Sequence, residues 1–303
     1  MIQLANAPVS YGVFGLARPD LVPLPDGPQL AGWVAEAGYA GVDLGPVGLF
    51  GDPDTLPRLL AEHGLGLAGG WVDLPFGAGT DTEFDQAMAG LREVLPIFTA
   101  AAAAGLGPSP KPTLADSGSA ERSARPGGGP DLELDAGRWA RFVTRLELAA
   151  GAVREAGLEP TFHHHACTYV ETPREIERFL ADTDVDLTFD TGHLLLGGGE
   201  PLTDFQRWQD RINHLHLKDF DGAVLVAAAG SDNPLRDVWE RRVFTALGSG
   251  DLDVTAMVEA ILASGYDGWL VVEQDVILAD AADVDRARAD QVANRALLRR
   301  WFG

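Results

Sequence analysis

A chain of 303 residues, 46% of them hydrophobic, can bury a large core, and its length suits either one closed α/β barrel of about 250 residues or more, or two smaller domains. Its formal net charge of −22 would repel phosphate backbones and anionic lipid, which excludes nucleic acid and membrane surfaces as expected partners. The start MIQLANAPVS lacks a signal peptide's basic region and apolar core, no apolar run reads as reaching the roughly 18 residues of a membrane span, and the lone Cys167 precludes an internal disulfide, so a cytoplasmic protein is expected.

Short apolar runs of strand length alternate with segments of helical periodicity, the mark of parallel β-α units. In chain order the predicted strands are 2–9, 40–45, 65–72, 111–116, 159–165, 186–190, 212–217 and 268–273. The predicted helices cover 27–38, 53–63, 80–104, 134–157, 173–182, 202–210, 253–264 and 280–301. Thr172, Pro173 and Glu175 give the fifth of these an N-cap, a first-turn proline and the Glu of a capping box. Helix ends that run into Gly and then a strand recur, as in 37-AGYAGVDLG-45 and 264-SGYDGWLVVE-273, and Gly suits the left-handed C-cap. Eight such units, with no G-x-G-x-x-G after the first strand, predict a single-domain (β/α)8 TIM barrel over 1–303 rather than an open doubly wound sheet. The Ser-, Gly- and Pro-rich stretch 117–133 and the excursion 218–251 both follow strand ends and are expected over the catalytic face, the first as a mobile loop.

Side chains at the carboxyl ends of barrel strands converge on one pocket, so the chemistry should lie there. Strand five ends in His163, His164 and His165, and strand six in Asp190 with His193 just after it. Strand seven displays His214, His216, Lys218 and Asp219, and strand eight Glu273 and Asp275. Residues two apart on a strand point the same way, so His163 and His165 share a direction, as do His214 and His216. Imidazoles and carboxylates gathered at one mouth form an N/O set for a divalent metal, and the expected ligands are His163, Asp190, His216 and Glu273. His165 is expected to contact substrate or orient a ligand, whereas His164 faces outward and reads as a packing histidine. Asp43 and Trp71, near the ends of strands two and three, are candidates to hold substrate hydroxyls or stack on a ring. Only two lysines, Lys111 and Lys218, stand beside 21 arginines, which marks Lys218 as a residue with a specific task, unless it merely forms an ion pair with Asp219 or a neighbour. The turn 247-LGSGDLD-253 could hold a phosphate only if its amides faced the pocket, so an unphosphorylated substrate is expected.

The motifs 162-FHHHACTYVET-172, 189-FDTGHLLLGG-198, 212-INHLHLKDFD-221 and 267-DGWLVVEQD-275, with 6-NAPVSYGVFG-15 and 41-GVDLGP-46, resemble the xylose-isomerase-like, or sugar phosphate isomerase/epimerase, superfamily of TIM barrels. Within it they look most like the inosose dehydratase family, and the likeness covers nearly the whole chain. The resemblance implies that Asp190, His216 and Glu273 bind the metal and that His193 lies against the substrate. It suggests manganese or cobalt, with zinc, iron or magnesium as alternatives; histidine ligands favour the first-row ions over magnesium. Relatives are often homo-oligomers, dimers or tetramers.

One departure bears on mechanism. Epimerases of the superfamily pair two metal-bound glutamates on opposite faces of the substrate, whereas this chain puts His163 in the strand-five position. That fits β-elimination, which needs one base for the proton α to a carbonyl and one acid for the leaving hydroxyl. The expected activity is a metal-dependent lyase dehydrating a cyclic polyhydroxy ketone, with Glu273 or a histidine as base and Lys218 or His193 delivering a proton. The alternatives are a ketose epimerase or sugar isomerase, elimination on a 3-keto-glycoside, and a barrel that only binds a sugar.

Overall fold

The computed structural model describes residues 1–228 and 231–303. Parallel strands β1 (Gln3–Asn6), β2 (Gly41–Val42), β3 (two segments, Gly66–Leu67 and Gly69–Leu74), β4 (Lys111–Asp116), β5 (Thr161–His163), β6 (Asp186–Asp190), β7 (Ile212–Leu217) and β8 (Trp269–Val272) pair in sequence order. β8 returns to β1 in the register Gln3 to Trp269 through Asn6 to Val272. The first segment of β3 pairs with β2 and the second with β4, so one strand joins both ends of the sheet and closes the barrel. Ala68, between the segments, donates to Val42 O at 2.9 Å and accepts from the Lys111 amide at 3.0 Å.

At the amino-terminal end of the barrel the interior is filled by Trp269, whose indole Nε1 donates to Pro108 O at 2.9 Å. Gly41 and Gly66 lie against this ring, and a Cβ on either would come within 2.5 or 2.8 Å of it. Small residues on β1 to β3 therefore make room for one large side chain from β8, which plugs the barrel while its mouth stays polar.

The eight expected helices are present, Pro173–Asp182 with both ends as expected and the others with ends shifted by at most three residues. Four strands are shorter than expected: β1 ends at Asn6 and β2 at Val42, and the two that bear on the site are β5 and β8. β5 stops at His163, leaving His164 and His165 in the following loop, and β8 stops at Val272. Glu273 nevertheless keeps its place in the ladder, since its amide donates to Leu217 O at 3.1 Å.

Helix Asp81–Ala104 is long and apolar enough to cross a membrane by length and composition, contrary to the sequence reading. Arg92 and Glu93 break the apolar run and hid it. Its Phe84, Leu91, Leu95 and Phe98 are buried in the shared core of the barrel, as an outer-ring helix requires.

The stretch 117–133 is also not the free loop its composition suggests. It contains a helical turn, Ala120–Ser123, whose Arg122 is fully buried, ion-paired with Glu175, 3.4 Å from Glu171, and donating to Leu132 O at 3.0 Å. The excursion after β7 holds helices Gly222–Ala228 and Pro234–Glu240 and an antiparallel ribbon of Asp219–Phe220 with Phe244–Thr245; residues 229 and 230 lie outside the described residues. Removing Arg122 would leave two buried carboxylates uncompensated, and breaking a buried ion pair from one side costs about 3–5 kcal/mol. Arg122→Ala should lose that much in chemical denaturation, and a loss below about 1 kcal/mol would show that the loop is held by something else.

Candidate functional site

Alternation along β5 to β8 sends His163, Asp190, His216 and Lys218 into the barrel mouth, with Glu273 and Asp275 just beyond β8, and all are buried. His163 Nε2 and His216 Nδ1 are 3.2 Å apart, and each is 3.6 Å from Asp190 Oδ2. Ligand atoms about 2.1 Å from a shared tetrahedral ion stand about 3.4 Å from one another, so this triangle has the size a first-row divalent ion requires. Asp190 Oδ2 is buried and accepts no hydrogen bond, which leaves it free for such a role. Its other oxygen, Oδ1, accepts the His193 amide at 2.9 Å and caps helix Thr191–Leu196, an element absent from the sequence reading. Glu273 Oε2 is 3.1 Å from His216 Nδ1, and Asp43 Oδ2 is 3.8 Å from His216 Nε2.

Lys218 stands against the carboxylate side of this group. Its Nζ lies 2.8 Å from Asp275 Oδ1, 2.9 Å from Glu273 Oε2 and 3.3 Å from Asp190 Oδ2, and it is 3.0 Å from His193 Nε2. Of the ion pairs expected as the alternative for this lysine, those with neighbouring carboxylates form and the one with Asp219 does not; the Asp219 carboxylate accepts the amides of Phe220, Gly248, Gly250 and Leu252. Those amides are thereby used up, so the Gly-Ser-Gly turn is no phosphate cradle.

The field within the site is uneven. Burial alone would raise the Asp190 carboxyl, but the Lys218 ammonium and adjacent imidazoles hold it well below the usual carboxylate range. Burial likewise opposes the Glu273 charge, and His216 with Lys218 more than offset it. A buried imidazole normally loses its proton, yet Glu273, Asp190 and Asp43 push His216 up to about 10. Burial keeps His163 and His193 neutral, and brings His165 down to about 3. Burial pushes Asp43 up to about 7 and Asp275 up to about 6, with the Glu273 charge adding to both.

The sequence profile described as Xylose isomerase-like TIM barrel matches residues 31–290. The chain belongs to this family. Rhizopine catabolism protein MocC of Rhizobium meliloti is 34% identical over 251 residues, covering 79% of this chain and 72% of that protein. An inosose dehydratase of Lacticaseibacillus casei is 42% identical over 146 residues, 45% of this chain and 47% of that protein, so the match spans about half the length of this relative. Among solved structures, a 3-keto-D-glucoside 4-epimerase from E. coli superposes with a TM-score of 0.64 at 16% identity, over 98% of this chain and all of that one (100%). A probable 3-DHS dehydratase from Bacillus anthracis gives 0.64 at 13%, over 95% of this chain and 97% of that one. Likeness at these identities establishes the barrel alone.

In this member of the xylose isomerase-like family, aromatic rings frame the mouth on two sides. Trp71, 39% exposed, lies edge-on to His165 and His163 at 4.7 and 5.6 Å between centroids, an open face rather than a core residue. The excursion after β7 lays buried Phe244 5.0 Å from the His193 ring and 4.8 Å from Lys218 Nζ, and Trp239 packs on both rings, 6.3 Å from His193 and 5.3 Å from Phe244. Phe244 and Trp239 escaped the sequence reading, because they sit on an excursion whose path no strand or helix pattern fixes. His164 is buried on the outer side as expected, but its Nε2 accepts the Asp190 amide at 3.2 Å. His214 is buried one layer below His216, 5.2 Å from it between centroids. The excursion depends on Asp219, which satisfies amides at both of its ends. Asp219→Ala should speed hydrogen exchange at Gly248, Gly250 and Leu252 at least tenfold, and unchanged exchange there would refute this anchoring role.

Proposed function

We propose that this protein is a divalent-metal-dependent lyase that dehydrates a cyclic polyhydroxy ketone of the inosose type. The observation that carries the reading is the acid-base inventory at the mouth: strand five offers a neutral imidazole, His163, and Glu273 is the single glutamate of the proposed ligand set. An epimerase needs a group on each face of the substrate to remove and return a proton, whereas an elimination needs one base and one acid. The similarity to an inosose dehydratase and to a rhizopine catabolism protein supports the same class of substrate.

His163, Asp190, His216 and Glu273 would hold the ion, and a bound divalent cation would polarise the substrate carbonyl. Glu273, held ionised by its cationic neighbours, takes the proton from the carbon α to that carbonyl. Lys218, held protonated because the carboxylates around it outweigh its burial, stands hydrogen-bonded to His193 and supplies the proton that lets the hydroxyl depart as water. Trp71 offers its exposed face to the ring, with His165 beside it, and Asp43 stands next to His216 to meet substrate hydroxyls. Phe244 and Trp239 keep water from the Lys218 side, where a dry environment strengthens every charge interaction.

The direct test is mass spectrometry of 2-keto-myo-inositol incubated with manganese- or cobalt-loaded protein. A product lighter by about 18 Da is expected, with turnover abolished by chelation and lowered at least about 100-fold in Glu273→Gln. New isomers of unchanged mass would replace the lyase with an epimerase. Metal binding carries its own pH signature. His216 must give up its proton to become a ligand, so apparent affinity should rise about tenfold per pH unit from neutrality toward pH 10. A flat profile in isothermal titration would exclude His216 from the ligand set. Asp190→Asn should weaken binding at least about 100-fold at constant pH, more than loss of an outer contact would.

A further inference from the structure

Beside the proposed ligand set lies a second cluster of ligand-type groups. His165, His193 and Asp275 bring donor atoms within 4.8 Å of one another, a spacing that by itself would admit another divalent ion. The ammonium of Lys218 stands among them, with His193 Nε2, Asp275 Oδ1, Glu273 Oε2 and Asp190 Oδ2 at 3.0, 2.8, 2.9 and 3.3 Å. Acceptors at these distances from one point make the shell of a small cation. We propose that Lys218 is the site's second cation, built into the chain, and that it keeps a second metal ion out of the His165–His193–Asp275 cluster so that the centre holds a single ion. This rests on the metal-dependent reading above.

The surroundings of Lys218 are shaped for that placement. The Thr191 hydroxyl clamps its backbone on both sides, accepting the Lys218 amide at 2.9 Å and donating to the Lys218 carbonyl at 2.7 Å. Its methylenes lie across Gly192, where a Cβ would come within 2.6 Å of Cγ. The ring of Phe244 covers Nζ from the remaining side at 4.8 Å. The segment 190-DTGH-193 thus supplies a proposed ligand, a backbone clamp, the clearance for an alkyl chain and an acceptor for its ammonium. A planar guanidinium could not take the same place among converging acceptors, which gives a physical reason for lysine here in a chain that otherwise carries its positive charge almost wholly on arginine.

The test counts metal per chain by elemental analysis after equilibrium dialysis against excess manganese or cobalt. Wild-type protein should hold about one ion, Lys218→Ser about two, and the double variant Lys218→Ser with Asp275→Asn about one again. A single ion in Lys218→Ser, or two in the wild type, would overturn the proposal. Wild-type protein that holds none would instead refute the metal-dependent reading on which it rests. Should Lys218→Ser not fold, calorimetric titration of the wild type still decides, because a saturable second binding event there contradicts a site already filled by lysine.

Discussion

Asp43, Asp190, Glu273 and Asp275 converge, buried, on one end of the barrel, and buried negative charge must be balanced or neutralised. The rest of the site follows from that requirement. Lys218 balances Asp190 at the end of β6 and Glu273 and Asp275 just past β8, His216 is driven to hold a proton between Glu273, Asp190 and Asp43, and burial still pushes Asp43 and Asp275 up, the latter despite its contact with Lys218. On the proposed metal-dependent reading this arrangement would receive a divalent cation. Its entry would release the His216 proton and supply the positive charge that the ligand carboxylates otherwise draw from their neighbours.

The fold is the means of concentrating that charge without spreading the cost. Trp269 fills the bottom of the barrel against two glycines. The excursion after β7 reaches the site through Phe244, and it and the stretch 117–133 are each tied down by buried charge, the Asp219 carboxylate with its amides in the first and Arg122 with Glu171 and Glu175 in the second. The aromatic faces of Trp71 and Phe244 then border the space between them. Anchoring of the excursion after β7 matters because its Phe244 packs on Lys218 and His193, the proposed proton donors.

Much of this was legible in the sequence, for a definite reason. Strand periodicity of two makes the inward face predictable, so placing His163, Asp190 and His216 at strand ends was enough to bring their ligand atoms together, while Glu273 groups with His216 and Asp43. The scarcity of lysine singled out Lys218. What could not be read was anything fixed by a partner distant along the chain. The loop 117–133 looks free until Glu171 and Glu175 are placed beside Arg122, and Phe244 and Trp239 acquire meaning only once the path of the excursion is known. His164 reads correctly as an outward histidine, but its hydrogen bond to the Asp190 amide appears only when β5 and β6 are set in register. The break in β3 at Ala68 was equally invisible, since apolar composition continues through it.

The central claim is that two imidazoles and two carboxylates of this mouth form one metal centre, and X-ray absorption at the cobalt edge of the cobalt-loaded protein addresses it most directly. The account predicts a first shell of nitrogen and oxygen at about 2.0–2.2 Å, with the outer-shell scattering of two imidazole rings, reduced to one in His163→Gln. An all-oxygen shell without imidazole scattering, or one unchanged in that variant, would contradict it.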